Sequence, residues 1–182
     1  MADEATSHTV SDVTSSAIND PPATKAPGEL NLAKLLESVQ PILNPGEYLF
    51  IAVDDETLDR IPRAATLFEF KEYRCASHPH EGTTVVIERQ QAARLGLKPM
   101  DDYVASWITL KVQSSLEAVG LTAVFAKELA DVGVSANVVA AYHHDHIFVH
   151  KRDRETARTA LLALAEKHRE LNARNSGIVN NK

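Results

Sequence analysis

Apolar residues along this chain switch repeatedly between a two-residue and a three-to-four-residue rhythm, and the switches mark out its elements. Leu32, Leu35, Leu36 and Val39 fall at helical spacing, and Pro41 closes the short helix they predict. After the turn Asn44-Pro45-Gly46, the apolar run at residues 48–53 reads as a strand. Residues 65–70 and 83–87 read as the two arms of a hairpin, and a brief helix over 90–95 stops at Gly96. At residues 107–112, Trp107, Thr109 and Lys111 alternate with Ile108, Leu110 and Val112, the period of a half-buried strand. A helix reaching Val132 stops at Gly133, and residues 137–141 and 146–150 lie so close together that only a tight hairpin joins them. Ala157, Ala160, Leu161, Leu164, Ala165, His168 and Leu171 then line one face of a last helix whose other face carries Arg158, Glu166, Lys167 and Glu170.

Laid end to end, the order is strand, short or degenerate helix, strand, strand, helix, and then strand, helix, strand, strand, helix. The fold class is therefore α+β, with a βαββα unit that occurs twice. Such a unit becomes a closed ferredoxin-like βαββαβ module when it acquires a fourth strand. Residues 107–112 are placed to close the first unit while opening the second, and residues 48–53 to return and close the second. This sharing predicts one sheet; separate sheets for the two halves would reject it.

Composition narrows the function classes. With 182 residues, the chain holds one ordinary domain or two very small ones packed as a unit. Its 19 Lys and Arg against 25 Asp and Glu, a net charge of -6, provide no global attraction to nucleic acid or to anionic lipid. Cys75 is the single cysteine, so no intramolecular disulfide framework and no thiolate cluster for structural zinc exist. No window approaches the roughly 18 apolar residues that span a bilayer, and the first residues lack the order of a secretory or transit signal. A cytosolic protein is the expectation. Residues 1–28, rich in Ser, Thr, Ala, Asp and Pro, and the polar, Asn-rich residues 173–182 read as flexible tails.

The second half carries a recognisable pattern. Trp107-Ile108-Thr109-Leu110-Lys111-Val112 leads into Ser114-Ser115-Leu116-Glu117-Ala118-Val119-Gly120-Leu121-Thr122-Ala123, then Leu129-Ala130-Asp131-Val132-Gly133-Val134-Ser135-Ala136-Asn137-Val138-Val139-Ala140 and His144-Asp145-His146-Ile147-Phe148-Val149. The first half adds Pro45-Gly46-Glu47-Tyr48-Leu49-Phe50 and Glu81-Gly82-Thr83-Thr84-Val85-Val86. These stretches resemble the ACT-domain family of ferredoxin-like, amino-acid-binding modules, and more closely its stand-alone proteins made of two such modules. The resemblance implies a first module over residues 29–100 and a second over 101–172, packed side by side and sharing or exchanging strands. It implies a non-catalytic regulatory protein without a cofactor, whose partners are a small amino-acid ligand and either a second copy or a partner enzyme. One departure is a lengthened hairpin tip at residues 73–80, which contains Cys75, His78, Pro79 and His80.

The resemblance also places a ligand between the loop after a module's first strand, the start of the following helix and the next strand. It assigns Val119, Gly120, Leu121 and Thr122 to a carboxylate-facing turn, with Ser114 and Ser115 as nearby hydroxyl donors. Unpaired N–H groups at a helix start favour a carboxylate, and a glycine lets the backbone approach it. Asn137 offers an amide to the ligand's amino or side-chain group. A plainer alternative stands beside this one: Ser114-x-x-Glu117 is also a capping-box pattern, which would start the helix at Ser115 and leave Gly120 inside it. Asn137 at a strand edge equally suits a turn-bonding role.

Other clusters offer other chemistry. Tyr142-His143-His144-Asp145-His146 has metal-ligand residue types and defines an enzyme alternative, a metal or acid/base centre over His143 to His146. Alternation on a strand turns neighbouring imidazoles apart, however, and a polar hairpin turn accounts for the same residues. Cys75 lacks an orienting third group for a nucleophile, and Asp54-Asp55-Glu56 reads as a solvated acidic turn. A third possibility is an interaction adaptor with a vestigial pocket, using the 73–80 tip and the acidic tail as contact surfaces.

Overall fold

The computed structural model describes residues 28–71, 82–99, 101–112 and 114–179, with side chains up to residue 175. The 73–80 tip and most of the amino-terminal tail lie outside them. Helix α1 (Leu32–Ser38) starts where the Asn31 side chain accepts the Lys34 N–H, and it buries Leu35 and Leu36. Strands β1 (Pro41–Leu43) and β2 (Tyr48–Val53) follow. The acidic stretch after β2 is a helix start: Asp54 caps α2 (Asp55–Arg60) by accepting the Thr57 N–H at 2.8 Å, with Asp55 and Glu56 in the first turn. Strands β3 (Thr66–Lys71) and β4 (Thr83–Glu88) form the expected antiparallel pair, and α3 (Arg89–Arg94) completes the first unit.

The second unit consists of β5 (Ala105–Leu110), α4 (Leu121–Asp131), β6 (Ala136–Ala140), β7 (Asp145–His150) and α5 (Arg154–Val179). Helix α4 ends as the sequence predicts: Gly133, at φ 75°, sends its N–H to the Ala130 carbonyl while the Val134 N–H reaches Leu129. Helix α5 continues past Ala173 to Val179.

Both units share one sheet of order β3-β4-β2-β5-β7-β6, with β1 on β5. Strand β5 pairs with β7 along its whole length and meets β2 at Tyr48↔Ala105. It therefore closes the first unit while opening the second, as the pattern predicted. The closing strand of the second unit differs from expectation. Pro41–Leu43, not Tyr48–Val53, fills that place, pairing Pro41↔Leu110, Ile42↔Thr109 and Leu43↔Ile108. The turn at Asn44-Pro45-Gly46 divides the strand, and β2 beyond it is held by six pairs to β4.

The two faces of the sheet bury different residues. Helices α1, α4 and α5 cover one half with Leu35, Phe125, Leu129, Leu161 and Ala165 against Ile108, Leu110 and Ile147. Helices α2 and α3 cover the other half, over Leu49, Ile51, Val85 and Ile87. The opposite face closes on itself. Phe68 of β3 lies 5.9 Å from Phe148 and 5.4 Å from His146 of β7, ring centre to ring centre. Four inter-strand steps in a flat sheet would separate these strands by about 19 Å. The sheet thus folds over at the β2–β5 joint. Phe148, fully buried, also meets Tyr48 and Phe50 edge-on and stacks on Trp107. Edge-on pairs of this kind each contribute about 0.5–1.5 kcal/mol beyond area burial.

Candidate functional site

Between β5 and α4, residues 114–120 form a loop rather than a helix. Ser114 forms an isolated parallel bridge with Glu29, and the Ser115 N–H bonds the Glu29 carbonyl at 3.2 Å. The buried Ser115 hydroxyl accepts the Glu117 N–H at 3.2 Å. The capping-box alternative therefore does not describe this segment: the helix begins six residues later, at Leu121, with Gly120 as its cap at φ 93°, ψ -12°. No side chain caps α4, and its first backbone bond runs from the Val124 N–H to the Gly120 carbonyl at 3.0 Å. The amide hydrogens of Leu121, Thr122 and Ala123 consequently point past the helix end, where the dipole is positive.

The surroundings of this turn are asymmetric. Leu121 is buried beside Phe125, which fixes the helix start on the core, whereas Val119 is 86% exposed and Thr122 faces solvent. A Cβ at Gly120 would come within 3.3 Å of Leu32 Cδ2 on α1. Residues 28–32 therefore flank the turn. The Glu29 carboxyl accepts the N–H groups of Asn31 and Leu30 and lies 3.7 Å from Lys34, contacts that hold its pKa low. A cavity of about 820 Å³ opens alongside, between α1 and the end of β5, lined by Glu29, Lys34, Glu37, Ser38, Lys111 and Val112 among others. None of the seven sequence-assigned ligand residues lines it.

Asn137 is placed elsewhere. Its neighbour Val138 packs on the helix-side core, so Asn137 projects from the opposite face, where its amide donates to the Tyr103 hydroxyl at 3.2 Å. The structure brings Ser114, Ser115, Val119, Gly120, Leu121 and Thr122 into one loop and leaves Asn137 across the sheet. Strand alternation failed to reveal this because Val138 and Val139 are both apolar and both faces are covered.

The histidine hairpin divides in the same manner. On the aromatic face, His146 Nδ1 accepts the Trp107 indole N–H at 3.0 Å and lies 3.2 Å from the Thr109 hydroxyl. Burial, and then the charge of His144, lower its pKa, which favours the neutral ring that accepts the indole N–H. His144 Nδ1 sits 3.4 Å from the Val112 carbonyl, and His143 meets Tyr142 edge-on. Asp145, on the helix side, is buried, which pushes its pKa up. Among the described residues, no group of three or more His, Cys, Asp or Glu is placed to hold a metal ion. Nor is any described helix long and apolar enough to cross a membrane.

Comparison with known proteins agrees with this architecture. Residues 27–105 match the ACT domain, and residues 103–163 match it again. No curated protein matches the chain. Among solved structures, a Vibrio cholerae protein of unknown function, titled a possible transport protein, is similar at 42% identity and TM-score 0.62, over 74% of this chain and 95% of its own. The regulatory subunit of aspartate kinase from Thermus flavus is similar at 9% identity and TM-score 0.47, over 70% of this chain and 96% of its own. An Agrobacterium tumefaciens protein is similar at 19% identity and TM-score 0.46, over 70% of this chain and 89% of its own. Two ACT domains form a regulatory, ligand-binding architecture rather than a catalytic one. The chain belongs to the ACT-domain family, as a tandem of two ACT domains spanning most of its length.

Proposed function

We propose that this protein is a sensor that binds an amino acid or a related small carboxylate at the β5–α4 turn and relays its presence through contacts with a second copy or a partner enzyme. The observation that carries the proposal is the uncapped start of α4 at Gly120, φ 93°. Three outward amide hydrogens and the helix dipole there suit a carboxylate, and the missing Cβ leaves it room to approach. The hydroxyls of Thr122 and Ser114 lie in the same segment. Regulation follows only if the ligand favours one arrangement of the protein over another, and the flanking residues 28–32 are the element whose packing a ligand at this turn would alter.

Thermal unfolding of the full chain against the common amino acids tests the proposal. A ligand at 100 times its dissociation constant adds roughly 2.7 kcal/mol, or roughly 5–10 °C for a protein of this size. The expected result is a shift with one amino acid or a few related ones, lost in Gly120→Val when each protein is compared with its own ligand-free baseline. No shift with any amino acid, or an equal shift in the variant, would reject the reading.

A further inference from the structure

The first module contains a cavity of a different character, of about 790 Å³, between α2 and the segment that follows α3. Its volume falls in the range of small-molecule sites. The floor is apolar: Ile51, Val53 and Ile61 are 2%, 7% and 8% exposed, with Leu95 and Leu97 beside them. Arg60 at the end of α2, and Arg94 and Lys98 at and just after the end of α3, stand among the lining residues, against one acidic residue, Asp54. The Asp54 carboxylate is engaged at the Thr57 N–H, 2.8 Å away.

No ion pair among the described residues engages Arg60, Arg94 or Lys98. Arg60 is instead steadied by the Thr57 hydroxyl at 3.3 Å, and Arg94 by the Gln91 side-chain oxygen at 3.5 Å. Three cations against one carboxylate, itself hydrogen-bonded at the helix cap, leave the cavity lining with a surplus of positive charge. The arrangement is also local, since the chain as a whole carries a net charge of -6. Two guanidinium forks and an ammonium match the oxygens of carboxylate or phosphate groups, and the floor suits a short carbon skeleton.

We propose that this cavity is a second ligand site, which takes a small organic anion bearing at least two negative charges. It is independent of the Gly120 turn: it lies in the other module, shares no residue with that turn and selects by cations rather than by helix amides. The protein on this account reads two signals, a carboxylate at the second module and a polyanion at the first.

Calorimetric titration of the full chain with pyrophosphate and, separately, with citrate tests the site and distinguishes phosphate from carboxylate chemistry. The expected result is saturable 1:1 binding of at least one probe, weakened at least tenfold in Arg60→Gln/Arg94→Gln. All three cations are exposed, so the double variant should fold as the parent does. Lys127→Gln/Lys167→Gln, which removes two exposed cations elsewhere, should leave the affinity unchanged. Absence of saturable binding with both probes, or equal affinity in the Arg60/Arg94 variant, would overturn the proposal. Loss in the Lys127/Lys167 control would do the same by showing nonspecific charge attraction. Binding retained in the Arg60/Arg94 variant but lost in Gly120→Ala would overturn it too, by assigning the anion to the other module.

Discussion

Replacing Gly120 by alanine adds one methyl group to the turn at the centre of the proposed site, and its energetic effect follows from the backbone. At φ 93° an L-residue sits in left-handed space, which costs about 1–2 kcal/mol. The new Cβ would lie 3.3 Å from Leu32 Cδ2, the rotatable end of a half-buried side chain, and yielding there adds a few tenths. Restricting the unfolded chain offsets about 0.4–1 kcal/mol. The net loss is about 1 kcal/mol, equivalent to a fall in Tm of about 2–4 °C. Gly133→Ala provides a control: its φ is 75° and nothing lies within 4 Å of an added Cβ, so it reports the backbone strain alone. Urea denaturation of the parent and both variants measures these differences. Gly120→Ala should be at least as destabilised as Gly133→Ala. A Gly120→Ala protein as stable as the parent, beside a destabilised Gly133→Ala, would show that the turn relaxes and that the left-handed geometry is not required.

Further outcomes follow from other parts of the molecule. Phe148→Ala removes a fully buried ring that touches three strands of both modules and should cost about 3–5 kcal/mol; separate unfolding transitions for the two halves, seen by calorimetry, would contradict the shared aromatic face. His146 has a lowered folded pKa, so its contribution is complete above the ordinary imidazole value of about 6.5 and is lost as pH falls through the folded value. His146→Phe should therefore flatten the acid limb of a stability–pH profile, and an unchanged limb would refute the assignment. Asp145 has the opposite sign: its raised folded pKa gives stability present at acid pH and lost as pH rises through that value, so Asp145→Asn should raise Tm at pH 7 more than at pH 3, by thermal melts at the two values. Glu47 bridges Arg89 at 2.7 Å and Lys151 at 3.3 Å on the surface, and Glu47→Gln should cost no more than about 1 kcal/mol, less at high salt.

Much of this architecture is legible in the chain because it rests on local signals. The alternation from Trp107 onward, Gly133 after an amphipathic helix and the short spacing before His146 each specify an element without reference to distant residues. Strand β1 is not legible in that way. Pro41–Leu43 is three residues long, begins with proline and is defined by pairing to β5, 69 positions away in Pro41↔Leu110. The fold-over of the sheet is equally non-local, since Phe50, Phe68, Trp107 and Phe148 come from four strands. The continuous apolar run Ile147-Phe148-Val149 is the trace it leaves, a strand buried on both faces. At the candidate site, Gly120 stands out in the pattern, but whether it lies inside a helix or caps one is decided by the Glu29 bridge to Ser114. Arg94 and Lys98 are four residues apart and form no motif with Arg60, which only the packing of α2 and α3 on one face brings beside them.

The proposed sensor depends on the amide hydrogens at the start of α4 receiving a ligand's carboxylate. Its most direct test is an amide NMR titration of the isotope-labelled full chain with the amino acid that gives the largest thermal shift. Large, saturable shifts are expected at Leu121, Thr122 and Ala123, reduced in Gly120→Ala. Saturable binding that leaves those three amides unmoved would contradict it.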